Sequence, residues 1–182
     1  FESKLPHTPM GQMCLDGTLW VENGTPYMIY CHEWVEMMDG TMELVELKPD
    51  LSGTVGQPIR LFCASAAEWS TGSLREDGTR TYVTDGCFLY RTQTGKLLMI
   101  WSSFKNGEYA IGIAESMTGK VFGPWKQQKE PLFDKHGGHG MIFKTFDGRL
   151  CVVLHAPNSP GGAERAHIFE IEDLGHTLKL KK

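Results

Sequence analysis

One short pattern occurs three times in this chain, and that repeat narrows the available folds more than any other feature. A polar residue followed by Gly opens a short apolar strand, a Gly-ended turn follows, and a more apolar strand returns. The first copy starts at Asp16-Gly17 and reads TLWV, ENG, TPYMIYCHEW. The second starts at Asp85-Gly86 and reads CFLYR, TQTG, KLLMIWSSF. The third starts at His139-Gly140 and reads MIFK, TFDG, RLCVVLHAPN. Apolar residues recur nearer every second position than every 3.6, and Gly and Pro interrupt most windows of helical length. The expectation is an all-β chain with no helix.

Each copy continues into outer strands. In the first, Thr18–Val21 and Tyr27–Cys31 are followed by an Asp39-Gly40 hairpin signal, then Thr41–Leu47, then Pro58–Phe62 as a fourth strand. Glu43 and Glu46 mix with apolar neighbours there and read as an exposed strand face with no role in a site. The second copy gives Cys87–Arg91, Leu97–Trp101 and Tyr109–Ala114, and the third Met141–Lys144, Leu150–Leu154 and His167–Ile171. The tail HTLKLKK reads as one further strand. Residues 1–15 read as an irregular lead-in, and Ala64–Thr81 as a polar surface excursion. Repeats spanning about 16–62, 85–133 and 139–182 fit propeller blades. A β-sandwich would also yield many short strands, but the joint register of polar residue, Gly and turn favours the propeller.

Composition excludes several classes. A net charge of −4 without a long Lys/Arg run argues against nucleic acid. No apolar run is long enough for a membrane span, and no signal peptide is visible, which leaves the compartment open between cytoplasm and a secreted or periplasmic location. The five cysteines (14, 31, 63, 87, 151) are odd in number, lack CxxC spacing and mostly sit in apolar strands, so they read as small buried hydrophobes. The chain opens on FESKLPHTPMG without an initiator Met, as if within a domain.

In a propeller the first strand of each blade lines the axis, so Asp16, Asp85 and His139 should converge at the axial mouth. The Gly after each should leave room where backbones crowd. Second strands run back to the same face and should deliver His32, Glu33 and Trp34, then Ser102, Ser103 and Lys105, then His155 and Asn158. Carboxylates beside a Trp suit glycoside hydrolysis: one carboxyl group protonates the leaving oxygen, a second activates water or attacks the sugar, and the Trp face stacks on sugar C–H groups.

These residues, together with the blade-edge GPW and the GGHG before the third copy, resemble glycoside hydrolase family 43. That resemblance implies a five-bladed propeller with about three blades present. Residues 1–182 would form a single partial catalytic domain, lacking N-terminal blades of the same protein. The implied reaction is inverting hydrolysis of arabinofuranosides or xylosides in plant-type poly- or oligosaccharides. CLDGTLWVENGTPYMIY resembles the blade whose carboxylate tunes the acid's pKa, placing that role on Asp16. YVTDGCFLYRTQTGKLLMIW resembles the acid-bearing blade, and GGHGMIFKTFDGRLCVVLH the blade whose His, here His139, lies at the axis near a cation or water. The resemblance requires no cofactor, and calcium at the axis is the candidate structural ion. The family's acid is usually Glu, whereas the aligned Asp85 is one methylene shorter, so Glu33 competes for that role. The family's general base belongs to a blade with no counterpart in this chain.

The candidate catalytic residues are therefore Asp85, Asp16 and Glu33. The candidate sugar-binding residues are His139, Trp34, His32 and His155, and His139 is also the candidate metal contact through water. Each has a plainer reading. Asp-Gly pairs are common turn signals. His32 and Glu33 could be solvated residues at a strand end, and Trp34 could belong to the core. His136 and Asp134 lie near enough in sequence to join His139 at a metal, at a spacing that matches no zinc pattern. From a different functional class, an inactive propeller could bind a glycan or a protein with the same pocket.

Overall fold

The computed structural model of the protein describes residues 6–181; the first five residues of the lead-in and Lys182 fall outside the described residues. Three antiparallel meanders of four strands make up most of the chain. The first contains β1 (Cys14–Glu22), β2 (Thr25–His32), β3 (Thr41–Leu47) and β4 (Thr54–Cys63), with a one-turn helix α1 (Trp34–Met37) between β2 and β3. A small hairpin, β5 (Ser73–Leu74) and β6 (Arg80–Thr81), precedes the second meander. That meander holds β7 (Asp85–Arg91), β8 (Leu97–Lys105), β9 (Glu108–Ser116) and β10 (Trp125–Gln127). The third holds β11 (Gly138–Lys144), β12 (Leu150–Ala156), β13 (Arg165–Asp173) and β14 (Leu178–Leu180), so the tail does supply a last strand. The fold is a partial β-propeller of three blades. Among the described residues no helix is long and apolar enough to cross a membrane.

Local chemistry explains the hairpins. Asn23-Gly24 and Asn106-Gly107 both have positive φ, as a two-residue turn matched to strand twist requires, and they fix the closing pairs Glu22–Thr25 and Lys105–Glu108. Alternation along the strands then sends apolar side chains to two inter-blade cores. Ile29, Met42 and Leu44 of the first blade meet Met99 and Trp101 of the second; Ile100 and Ile111 on the second blade's other face meet Val152 and Ile171 of the third. The outer flanks of the first and third blades stay partly uncovered, with Leu19, Val21, Met141 and Ile168 about half or more exposed.

Three expectations change. A helix exists after all, although only one turn long, where HEWVEM breaks the strand pattern. Glu43 is buried rather than solvated, because β3 is an interior strand of its sheet; its carboxylate accepts hydrogen bonds from Tyr30 Oη (3.0 Å) and Thr41 Oγ1 (3.1 Å). The Ala64–Thr81 excursion is only partly superficial. Ala64, Ala67 and Trp69 are buried, and the Trp69 ring occupies space that Gly112 leaves free: a Cβ at Gly112 would lie 2.1 Å from that ring.

Candidate active site

The three repeat openings meet as expected, but their register is finer than the sequence pattern suggests. In every blade two residues at the start of the first strand bulge out opposite one on the second. These pairs are Asp16-Gly17, Gly86-Cys87 and His139-Gly140, each falling at the register break between the first two strands of its blade. The first residue of each pair has a left-handed backbone, with φ of 58° at Asp16, 43° at Gly86 and 53° at His139. Asp16, Gly86 and His139 therefore share the slot. Asp85 sits one residue earlier, paired with Ser102. The shift follows from the bulge, which two DG dipeptides read alone do not reveal.

This trio is in direct contact. The Gly86 amide donates to Asp16 Oδ2 at 3.1 Å, and His139 Nε2 lies 3.7 Å from Asp16 Oδ1. The His139 amide donates to Ser102 Oγ at 2.8 Å, which locks the third blade's opening onto the second. Of the three repeat glycines, Gly86 alone makes the room at the axis: a Cβ there would stand 2.7 Å from the His139 ring and 3.0 Å from its Cα. Gly86→Ala should thus cost about 1–2 kcal/mol in torsion alone, plus displacement of His139, and denaturant unfolding would measure the loss.

Three carboxylates lie within electrostatic reach of one another here. Burial pushes Asp85 above the usual carboxylate range and Asp16 adds to the rise, while a hydrogen bond from Tyr109 and the neighbouring His139 and His155 oppose it. The Tyr109 hydroxyl donates to Asp85 Oδ2 at 2.8 Å. Glu33 is also raised, first by burial and then by the charges of Asp85 and Asp16. Its backbone caps the start of α1, and among the described residues no side chain bonds to its carboxylate.

The other sequence candidates divide. His155 reaches the site: its ring stacks on Tyr109 with centroids 5.6 Å apart, lies 6.5 Å from the His139 ring, and its Nε2 is 2.9 Å from Asn158 Oδ1. A cavity of about 360 Å³ opens beside His139 and His155. Trp34 is half-buried on α1, with the Arg75 guanidinium 5.4 Å over its ring. His32, expected at the sugar, turns into the first blade instead. It is only 4% exposed, with Nδ1 3.2 Å from Glu43 Oε1 and Nε2 3.0 Å from Glu36 Oε2. Alternation explains this: His32 lies on the blade face that Tyr30 shares, and Glu33 on the other. Lys105 is occupied by Asp134 at 2.9 Å.

Sequence reading missed Tyr109. It follows the Asn106-Gly107 turn at the start of a third strand, where only second-strand ends were expected to reach the mouth. The signal available was its place just past the turn, opposite Phe104 near the end of the second strand.

Among the described residues no group of three or more His, Cys, Asp or Glu side chains is arranged to hold a metal. Calcium takes six to eight oxygen ligands. Asp16 is the carboxylate nearest His139 and already accepts from Gly86, so an axial ion would need water and atoms beyond these residues. Asp134 and His136 are drawn elsewhere, to Lys105 and to Glu108.

The glycosyl hydrolases family 43 model matches residues 1–172. Among solved structures, the endo-arabinase from Bacteroides thetaiotaomicron VPI-5482 is 46% identical with a TM-score of 0.84, covering 91% of this chain and 58% of that one. A thermostable family-43 glycoside hydrolase is 24% identical (TM-score 0.81; 97% and 60% covered). An endo-1,4-beta-xylanase from Bacteroides thetaiotaomicron VPI-5482 is 19% identical (TM-score 0.79; 100% and 62% covered). The last two likenesses bear on fold alone. No curated protein matches. The chain spans 58–62% of the length of these three solved structures.

Proposed function

This chain belongs to glycosyl hydrolase family 43, and from that premise we propose that it forms the acid-bearing part of an inverting glycosidase acting on arabinofuranosidic or xylosidic linkages. The likeness to a structure named endo-arabinase, at 46% identity, favours arabinose-containing polymers. The observation that carries the reading is the triad of carboxylates Asp16, Asp85 and Glu33, of which Glu33 is raised by burial first and then by the charges of its two neighbours.

A general acid must hold its proton near working pH and must reach the leaving oxygen. Glu33 suits both needs. Its carboxyl group is half-buried and, among the described residues, unengaged by other side chains; that burial, and then two nearby negative charges, disfavour its ionisation. Asp85 suits them less well, because its Oδ2 is tied to Tyr109, a bond that favours the carboxylate. In this mechanism Glu33 protonates the glycosidic oxygen as the bond to the anomeric carbon breaks. Asp16 and Asp85 keep that proton in place, and His139 and His155 hold the sugar. Water activated by an Asp outside this chain attacks from the opposite face, with the acid and base about 6.5–9.5 Å apart, as inversion requires.

The test is turnover by the full-length protein on linear arabinan, xylan and the matching aryl glycosides, with the product anomer followed by NMR. The expected result is release of arabinose-containing products with inverted configuration. Sugar binding without turnover, or retention, would overturn the proposal.

A further inference from the structure

His32 leaves the sugar site, yet it borders the proposed acid directly, and its contacts form a chain that ends on Glu33. The His32 ring lies between two carboxylates, with Glu43 on Nδ1 and Glu36 on Nε2. Glu43 is buried and anchored from β2 and β3 by Tyr30 and Thr41. Glu36 sits on α1, and the same oxygen that meets His32 also accepts the Met13 amide at 2.8 Å. Met13 completes the circuit: its carbonyl accepts the Glu33 amide at 2.8 Å. These bonds hold α1 to the blade interior on one side and to the lead-in on the other, and Glu33 is where the two meet.

We propose that the His32–Glu36 pair is a positioning device for Glu33, fixing the first turn of α1 so that the Glu33 carboxyl group faces Asp16 and Asp85. The inference rests on Glu33 being the acid of the proposed reaction. Two of α1's four residues, Trp34 and Val35, are poor helix formers, and a single turn has no stability of its own. Something outside the turn must therefore hold it, and among the described residues His32 is the one buried side chain that joins it to the sheet through a carboxylate on its own exposed face. Backbone bonds at its far end, from Tyr82 N–H to Met38 O and from Gly40 N–H to Tyr82 O, tie the same segment to the strand leading into Asp85.

The experiment compares Glu36→Ala with Glu36→Gln in the full-length protein, on a glycoside with a poor leaving group and on a dinitrophenyl glycoside that departs without protonation. Glu36 lies at the surface, so neither change empties the core. A displacement of about 1 Å can cost on the order of 100-fold. Glu36→Ala should therefore cut kcat on the poor leaving group roughly 10- to 100-fold, with KM little changed and the dinitrophenyl substrate nearly unaffected. Glu36→Gln keeps an oxygen for both the Met13 amide and His32, and should recover most of the loss. Equal losses on both substrates, or no loss on either, would overturn the proposal.

A second readout is independent of turnover. In carbon-13 spectra of the glutamate carboxyl groups, the Glu33 titration midpoint should fall in Glu36→Ala as the group moves away from Asp16 and Asp85 into water. An unmoved midpoint sinks the positioning role even if the protein is inactive, whereas inactivity with a shifted midpoint sinks only the assignment of Glu33 to this chemistry.

Discussion

Glu33→Gln is expected to lower turnover of a glycoside with a poor leaving group by about 10²–10⁴-fold, the range that general acid catalysis supplies. On a dinitrophenyl glycoside the loss should be small, since that leaving group needs no proton. The alkaline limb of the pH profile on the poor leaving group should also disappear, because Glu33 is active in its protonated form and its raised pKa sets where that form is lost. Asp85→Asn makes the contrast. Its amide oxygen still accepts from Tyr109, but one of the charges that hold the Glu33 proton is removed. That limb should then move to lower pH, with partial activity retained below it. If Asp85→Asn shows the severe loss that depends on the leaving group and Glu33→Gln does not, the acid is Asp85.

Trp101→Ala is expected to have the largest effect on stability. Trp101 is fully buried between the first and second blades, 4.9 Å from the Trp69 ring and 5.4 Å from Phe62 between centroids, and its indole N–H donates to Gln127 Oε1 at 2.9 Å. Deleting a buried Trp side chain costs about 3–5 kcal/mol. At about 2–4 °C per kcal/mol for a domain of this size, the melting temperature should fall by roughly 6–20 °C. Neighbours cannot easily collapse into the hole, because Trp69 is already seated against Gly112 with no space for even a methyl group. Calorimetry on wild type and variant measures the difference. A fall of less than about 1 kcal/mol would mean that the blades are held together elsewhere.

The blades were legible in the sequence because three signals coincide: alternation, Asn-Gly turns whose positive φ only a few residues tolerate, and the repeated opening dipeptide. What sequence could not resolve is instructive. Aligning Asp85 with Asp16 by their shared Gly is natural, yet the bulge places Gly86 in the slot, since pairing with the second strand counts residues differently from a dipeptide match. Glu43 looked solvated because charge usually implies water. Its burial depends on Tyr30 and His32, ten or more residues away, turning toward the same face. His32 and Glu33 are neighbours in sequence with opposite fates, and only the strand's parity at its last residue separates a structural imidazole from a candidate acid. Tyr109 had no repeat partner to draw attention to it.

The left-handed torsions at Asp16 and His139 limit how this centre can change. Side chains there must satisfy two demands at once, an electrostatic one and a conformational one, and β-branched or bulky apolar residues fail the second before the first is tried. Asn, Asp, His and Gly make up most of the alphabet left. An evolving or engineered relative can readily neutralise position 16 by exchanging carboxylate for amide, but it cannot readily line this opening with Val or Ile. The chemistry of the hub is thus confined to polar residues by the curvature of its own main chain.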